Sequence, residues 1–161
     1  MITIDFETKS YADLPKVGTW AYSEDPTTDI ICVCWAIDDD PVEQWWPVKN
    51  PTDEMPSSLY VPLTVKRLEV EAHNVAFERS VWLNVLAKKY GWDIPEDGQW
   101  RDTMAVAQYY ALPAGLDRLA SVLGLPRKDP EGGRLITKYS KLFLKTAAAH
   151  VPDHEWVDWV D

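Results

Sequence analysis

The chain has 161 residues, 46% of them apolar, and a net charge of −10 from 16 Lys and Arg against 26 Asp and Glu. That length suits a single domain over residues 1–161 with a core that needs neither disulfides nor a structural metal, and the apolar fraction excludes a disordered chain. The acidic balance argues against a broad electrostatic DNA-binding surface. It does not exclude a metal-dependent nuclease, which needs clustered carboxylates and can take its grip on the backbone from a neighbouring domain. No apolar run approaches the ~18 residues of a membrane helix, and MITIDFETKS is not a secretory signal, so no membrane partner and a cytoplasmic setting are expected.

Met1 to Phe6 alternates and is rich in Ile and Thr, which predicts a strand. Ala12 to Thr28, with Pro15, Gly18 and Pro26, reads as a connection. Asp29 to Ile37 is a β-branched apolar run that reads as a central strand buried on both faces. Cys32 and Cys34 share one face of it. They read as buried free thiols of a reducing compartment, not as a disulfide or a metal pair. Asp38 to Pro41 is a tight turn and Val42 to Trp46 returns, which completes an antiparallel meander.

Pro47 to Pro62 reads as a loop with a short helix near Glu54. Leu68 to Ala72 is a fourth strand. It leads through His73 and Asn74 into a helix from Ala76 to Tyr90, whose Phe77, Val81, Val85 and Leu86 keep helical spacing and which Gly91 stops. Trp100 to Asp102 is a short fifth strand. Helices follow at Thr103 to Leu112 and Leu116 to Leu123, ended by Pro113 and Gly124. Asp129 to Gly133 reads as a turn, Arg134 to Lys145 as including a short helix, and His154 to Asp161 as the start of another. A meander followed by alternating helix and strand predicts an α/β, RNase H-like mixed sheet of about five strands flanked by helices. The nine tryptophans read as core and helix packing, not as base-stacking platforms.

Two places carry chemistry. Asp5 and Glu7 end the first strand on one face, about 7 Å apart along the chain, with Phe6 turned the other way. Two like charges so placed are relieved by a divalent cation, and oxygen ligands suit Mg²⁺ or Mn²⁺. The second place is His73-Asn74-Val75-Ala76-Phe77-Glu78, where a strand meets a helix. Asn74 is expected to cap that helix, and Glu78 lies in the first turn, where its dipole favours a carboxylate. Facing Asp5 and Glu7 across the sheet end, Glu78 would be a third metal carboxylate.

Asp5-Phe6-Glu7-Thr8 together with Asn74-Val75-Ala76-Phe77-Glu78 resembles the first two motifs of the DEDD exonucleases. The likeness continues through Trp100-Arg101-Asp102-Thr103-Met104, Leu112 to Ala120, Leu123-Gly124-Leu125, Lys128-Asp129 and Gly133 to Ile136. Over essentially its whole length the chain looks like the proofreading domain of a phage-type family A DNA polymerase. The resemblance implies a metal-dependent 3′–5′ exonuclease that acts on single-stranded DNA 3′ ends and releases nucleoside monophosphates through two Mg²⁺ or Mn²⁺ ions. Asp5 would bridge both ions. Glu7 would hold the one that activates water, and Glu78 would help hold the other. Asn74 and Phe77 would line the slot for the terminal nucleotides, and Thr8 would sit near the 3′ hydroxyl. A polymerase domain or chain would be the partner, and the host cytoplasm the setting.

The sequence departs from the family at two points. Glu78 stands where many such domains have Asp. The third motif, a Tyr-x-x-x-Asp that supplies another metal ligand and orients the attacking water, has no match, since no Tyr follows Lys141. His154 and Asp158 share its spacing but read as coincidence. The expectation is therefore a chain truncated before that motif and weak or inactive alone. The alternative is a non-catalytic exonuclease-like module that binds DNA or a polymerase. Another RNase H-like nuclease, a resolvase or an RNase, is disfavoured by the helical segment from Asp102 to Ile136.

Overall fold

The computed structural model describes residues 1–50, 52–126 and 130–140. Its five strands are β1 (Ile2–Lys9), β2 (Asp29–Ile37), β3 (Glu43–Trp45), β4 (Val70–Ala72) and β5 (Trp100–Asp102). They form one sheet in the order β3-β2-β1-β4-β5. The β1–β2 and β2–β3 pairs are antiparallel, and β1–β4 and β4–β5 are parallel. This is the mixed α/β sheet that the meander and the later helix–strand alternation predict, with an RNase H-like arrangement of its strands.

The helices are α1 (Leu14–Glu24), α2 (Ser57–Tyr60), α3 (Val75–Val81), α4 (Ala87–Tyr90), α5 (Thr103–Tyr109), α6 (Leu116–Leu123) and α7 (Pro130–Tyr139). Wide π-type turns at Trp82–Leu86 join α3 to α4 into one continuous rod. The rod packs on the sheet face that Ile2, Ile4 and Phe6 present. The Phe6 ring lies 5.6 Å from that of Trp82. Trp82 in turn meets Trp100 at 5.9 Å and Trp92 at 6.0 Å, and its Nε1–H donates to the Asp93 carbonyl at 3.0 Å. Trp45 packs against Trp92 and Tyr90. Trp35, Trp45, Trp82, Trp92 and Trp100 are all buried, as core packing requires; Trp20 is exposed. Trp156 and Trp159 lie outside the described residues.

Four local expectations are corrected. The stretch read as a connection after β1 contains α1, whose Tyr22 and Ser23 are buried and whose Ser23 Oγ accepts from Asn84 Nδ2 at 2.9 Å. Packing on α3 overrides the turn-forming composition. Gly18 breaks α1 with φ 78° and ψ 166°, a conformation open to glycine because it lacks Cβ. In the loop before β4, the helix begins at Ser57 and runs on into π-type turns over Val61–Val65. Pro62 has no N–H for an α-type bond, and the Lys66 N–H reaches back to the Val61 carbonyl at 2.9 Å. The helix from Thr103 stops at Tyr109, before a left-handed Ala111 with φ 57°. The turn expected from Asp129 is helical from Pro130, since proline fits a first helical turn.

Other boundaries move by a few residues. β1 runs on to Lys9, and β4 begins at Val70. The expected helix at His154 to Asp161 lies outside the described residues. No helix among those described is long and apolar enough to cross a membrane.

Candidate active site

The alternation of β1 buries Ile4, Phe6 and Thr8 and turns Asp5 and Glu7 to the opposite face. Asp5 is exposed and Glu7 half-buried. Register places Asp5 across from Cys34 and Glu7 across from Cys32. Both cysteines thus share the carboxylates' face, as free thiols with their sulfurs 4.0 Å apart. Hydrogen bonding to Cys34 and burial push the Cys32 thiol up, and the charges of Glu7 and Asp5 add to this.

After Glu7 the pairing with β2 shifts, so that Thr8 meets Ile30. Thr8 turns inward, and its hydroxyl shares a 2.8 Å hydrogen bond with the Tyr22 hydroxyl. The Tyr22 ring lies 6.2 Å from the ring of Phe77. Burial raises the Tyr22 phenol; the Thr8 bond opposes that shift and the charge of Glu7 adds to it. Tyr22 therefore links Thr8, expected from the resemblance to sit near the 3′ hydroxyl, to Phe77, expected to line the nucleotide slot. Nothing in the turn-rich stretch around it signals this role.

Glu78 sits in the first turn of α3 and is 3% exposed. Its Oε2 has no hydrogen-bond partner. Burial pushes its carboxyl up to about 8, and the negative charges of Asp5 and Asp102 add to the shift against a lowering backbone hydrogen bond. The favourable end of the helix dipole does not overcome this desolvation.

The structure thus brings Glu78 within electrostatic reach of Asp5. It brings Glu7 near the cysteines and Tyr22. It also adds Asp102, which the sequence offered as part of a motif without a role.

Asn74 occupies the N-cap position but not as expected. It is left-handed, with φ 77° and ψ 58°, and its side chain makes no capping hydrogen bond. A standard capping side chain needs extended backbone at this position. Here the Asn74 carbonyl receives the Phe77 N–H at 2.9 Å, and its own N–H donates to Asp102 Oδ1 at 3.2 Å. The Asn74 side chain stays half-buried at the junction.

The donor set of Asp5, Glu7 and Glu78 is all oxygen, which suits a hard divalent cation, and the partnerless Oε2 of Glu78 is a buried acceptor that such an ion would satisfy. Among the described residues no three His, Cys, Asp or Glu side chains converge to hold an ion by themselves. Mg²⁺ seldom needs such a cage, because it keeps several waters and takes one or two carboxylates together with substrate phosphate. His154 and Asp158 lie outside the described residues.

The chain matches no family model. It is 31% identical over 164 aligned residues to a protein of Bacillus phage SP02 described as DNA polymerase, an alignment covering 98% of this chain and 24% of that relative. The chain thus spans about a quarter of the relative's length. Over nearly all its residues it is similar to one part of a phage DNA polymerase.

Proposed function

We propose that the chain is the 3′–5′ exonuclease domain of a DNA polymerase of the phage type, trimming single-stranded DNA 3′ ends to nucleoside monophosphates with Mg²⁺ or Mn²⁺. The observation that carries this reading is Glu78. A carboxyl group 3% exposed, with one oxygen lacking a partner and a second carboxylate nearby, costs stability that packing alone does not recover. A cation at that place removes the cost. The likeness to a phage DNA polymerase supplies the DNA context. Such a chain would work in the host cytoplasm.

When bound, the metal would supply Lewis-acid stabilisation of the phosphate and an acidified water. Asp5 and Glu7 would hold it from the sheet and Glu78 from α3. Thr8 is buried with its hydroxyl on Tyr22, so it would serve the terminal sugar by holding the end of β1 against α1. Phe77 and Asn74 would line the slot for the last bases, and the Tyr22–Phe77 contact would keep that wall in place.

The test is degradation of single-stranded DNA labelled at its 5′ end, with Mn²⁺ or Mg²⁺, by this chain and by Asp5→Ala. A ladder shortening from the 3′ end and absent in the variant is the expected result. Equal cleavage by both would overturn the site assignment. Cleavage by neither would favour the non-catalytic module, a reading consistent with the incomplete convergence of ligands among the described residues.

A further inference from the structure

Strands β4 and β5 run parallel, with Ala72 beside Asp102. They end at the same edge of the sheet, and each feeds a helix. β4 passes through His73 and Asn74 into α3, and β5 passes directly into α5. Asp102 is the N-cap of α5, and its Oδ1 accepts from the Met104 N–H at 2.9 Å and the Ala105 N–H at 3.3 Å. Those two bonds complete an ordinary cap.

A third bond leaves the helix. The same Oδ1 accepts the Asn74 N–H at 3.2 Å. The neighbouring residues tie the junction further. Thr103 Oγ1 lies 3.0 Å from His73 Nδ1 and 3.3 Å from the Ala72 carbonyl. His73 Nε2 faces the Ala114 carbonyl at 2.7 Å. A carbonyl can only accept, so Nε2 carries a proton. Both residues that separate β4 from α3 are thus held by the β5–α5 junction and the loop after it.

Asn74 needs this support. It is left-handed, it lacks glycine's freedom, and its side chain contributes no cap. Its backbone angles set the direction in which α3 leaves the sheet, and Glu78 lies in the first turn of that helix. We propose that Asp102 is a positioning residue for Glu78: by fixing the Asn74 backbone across the gap between the two helix starts, it sets the place at which α3 delivers Glu78 at the end of the sheet. The purpose of that delivery rests on the exonuclease reading; the geometry does not.

The experiment measures Mn²⁺ affinity by the electron paramagnetic resonance signal of the free ion, with circular dichroism confirming that each chain folds. Asp102→Asn keeps an acceptor oxygen and should bind Mn²⁺ close to the parent level. Asp102→Ala should weaken binding by about tenfold, the scale of losing a group that orients a metal ligand. In a Glu78→Gln background the same Ala substitution should add little, because coupled residues are not additive.

Equal losses in Asp102→Asn and Asp102→Ala, or a full further loss on top of Glu78→Gln, would overturn the proposal. If the parent binds no Mn²⁺, the metal reading of the site falls instead, and amide exchange in the metal-free chain decides the positioning. Protection at Asn74 and Phe77 should be lost in Asp102→Ala and kept in Asp102→Asn; unchanged protection in Asp102→Ala would overturn the proposal.

Discussion

Burial, and after it the negative charge of Asp5, raises the carboxyl of Glu78, although strand alternation sends Asp5 to the sheet face away from the Phe6–Trp82 contact on which Glu78's helix rests. The two carboxylates reach one end of the sheet from different sides. Folded Glu78 keeps its proton up to about pH 8, with burial as the main cause. The unfolded chain releases that proton near pH ~4.3. Between those values the folded state holds the extra proton, so rising pH removes stability. The contribution is whole below the unfolded pKa and gone above the folded one, on the order of 3–5 kcal/mol in all. Urea unfolding at pH 5, 6.5 and 8.5 should therefore show Glu78→Gln gaining on the parent as pH rises. A parent–variant difference independent of pH would refute the buried protonated carboxyl.

Divalent cations should reverse part of this loss. At pH 8, Mn²⁺ should raise the melting temperature of the parent, since any ligand that binds only the folded state stabilises it. Asp5→Asn and Glu78→Gln should both blunt that rise. A metal-dependent rise of the same size in all three chains would place the ion elsewhere.

Asn74 allows fold and chemistry to be separated. Its φ of 77° suits glycine, so Asn74→Gly should leave stability unchanged or slightly higher. Asn74→Ala should cost about 1–2 kcal/mol, since alanine meets Cβ strain there without asparagine's tolerance of left-handed backbone. If the side chain lines the slot for the 3′ terminal nucleotides, both variants should lose trimming of single-stranded DNA to a similar degree. Full activity in Asn74→Gly would remove Asn74 from the slot.

The sheet was legible because its signals are local. Asp29 to Ile37 is apolar and β-branched, and it forms β2 with the expected bounds. The glycine at 91 ends its helix as read, with φ 70°. α1 was not legible, because its reason lies in another element: Tyr22 and Ser23 are buried through contacts with Thr8 and Asn84. The site divides along the same line. Alternation alone places Asp5 and Glu7 on one face. The roles of Tyr22 and Asp102 depend on bonds to Thr8 and Asn74 that only the folded chain creates. The Asn74 side-chain cap failed because residue type does not report the left-handed turn.

Trp82 should be a pillar of the fold and Trp20 should not. Trp82 is fully buried and touches Phe6, Trp92 and Trp100. Trp82→Ala should cost about 3–5 kcal/mol and lower the melting temperature by roughly 10 °C. Trp20 is 53% exposed, and Trp20→Ala should stay within about 0.5 kcal/mol of the parent. Differential scanning calorimetry of the two variants checks the contrast, and a similar loss in both would contradict the packing described.

The hydrogen bond between Thr8 and Tyr22 can be tested as a pair. Both residues are buried, and their hydroxyls lie 2.8 Å apart. Tyr22→Phe leaves the Thr8 hydroxyl without its partner, and Thr8→Val does the same to the phenol. Each should cost about 1–3 kcal/mol, most of it the penalty of an unsatisfied buried group. The double variant removes both polar groups together, so its cost should fall well below the sum of the singles. A double-mutant cycle by urea denaturation measures that coupling. If Thr8 serves the terminal sugar by holding the end of β1 against α1, Thr8→Val and Tyr22→Phe should also raise KM for single-stranded DNA to a similar degree, because each breaks the same bond. Additive stability losses would mean that the two hydroxyls do not depend on each other, and a larger change in KM for Thr8→Val would mean that Thr8 acts on the DNA by some other route than this bond.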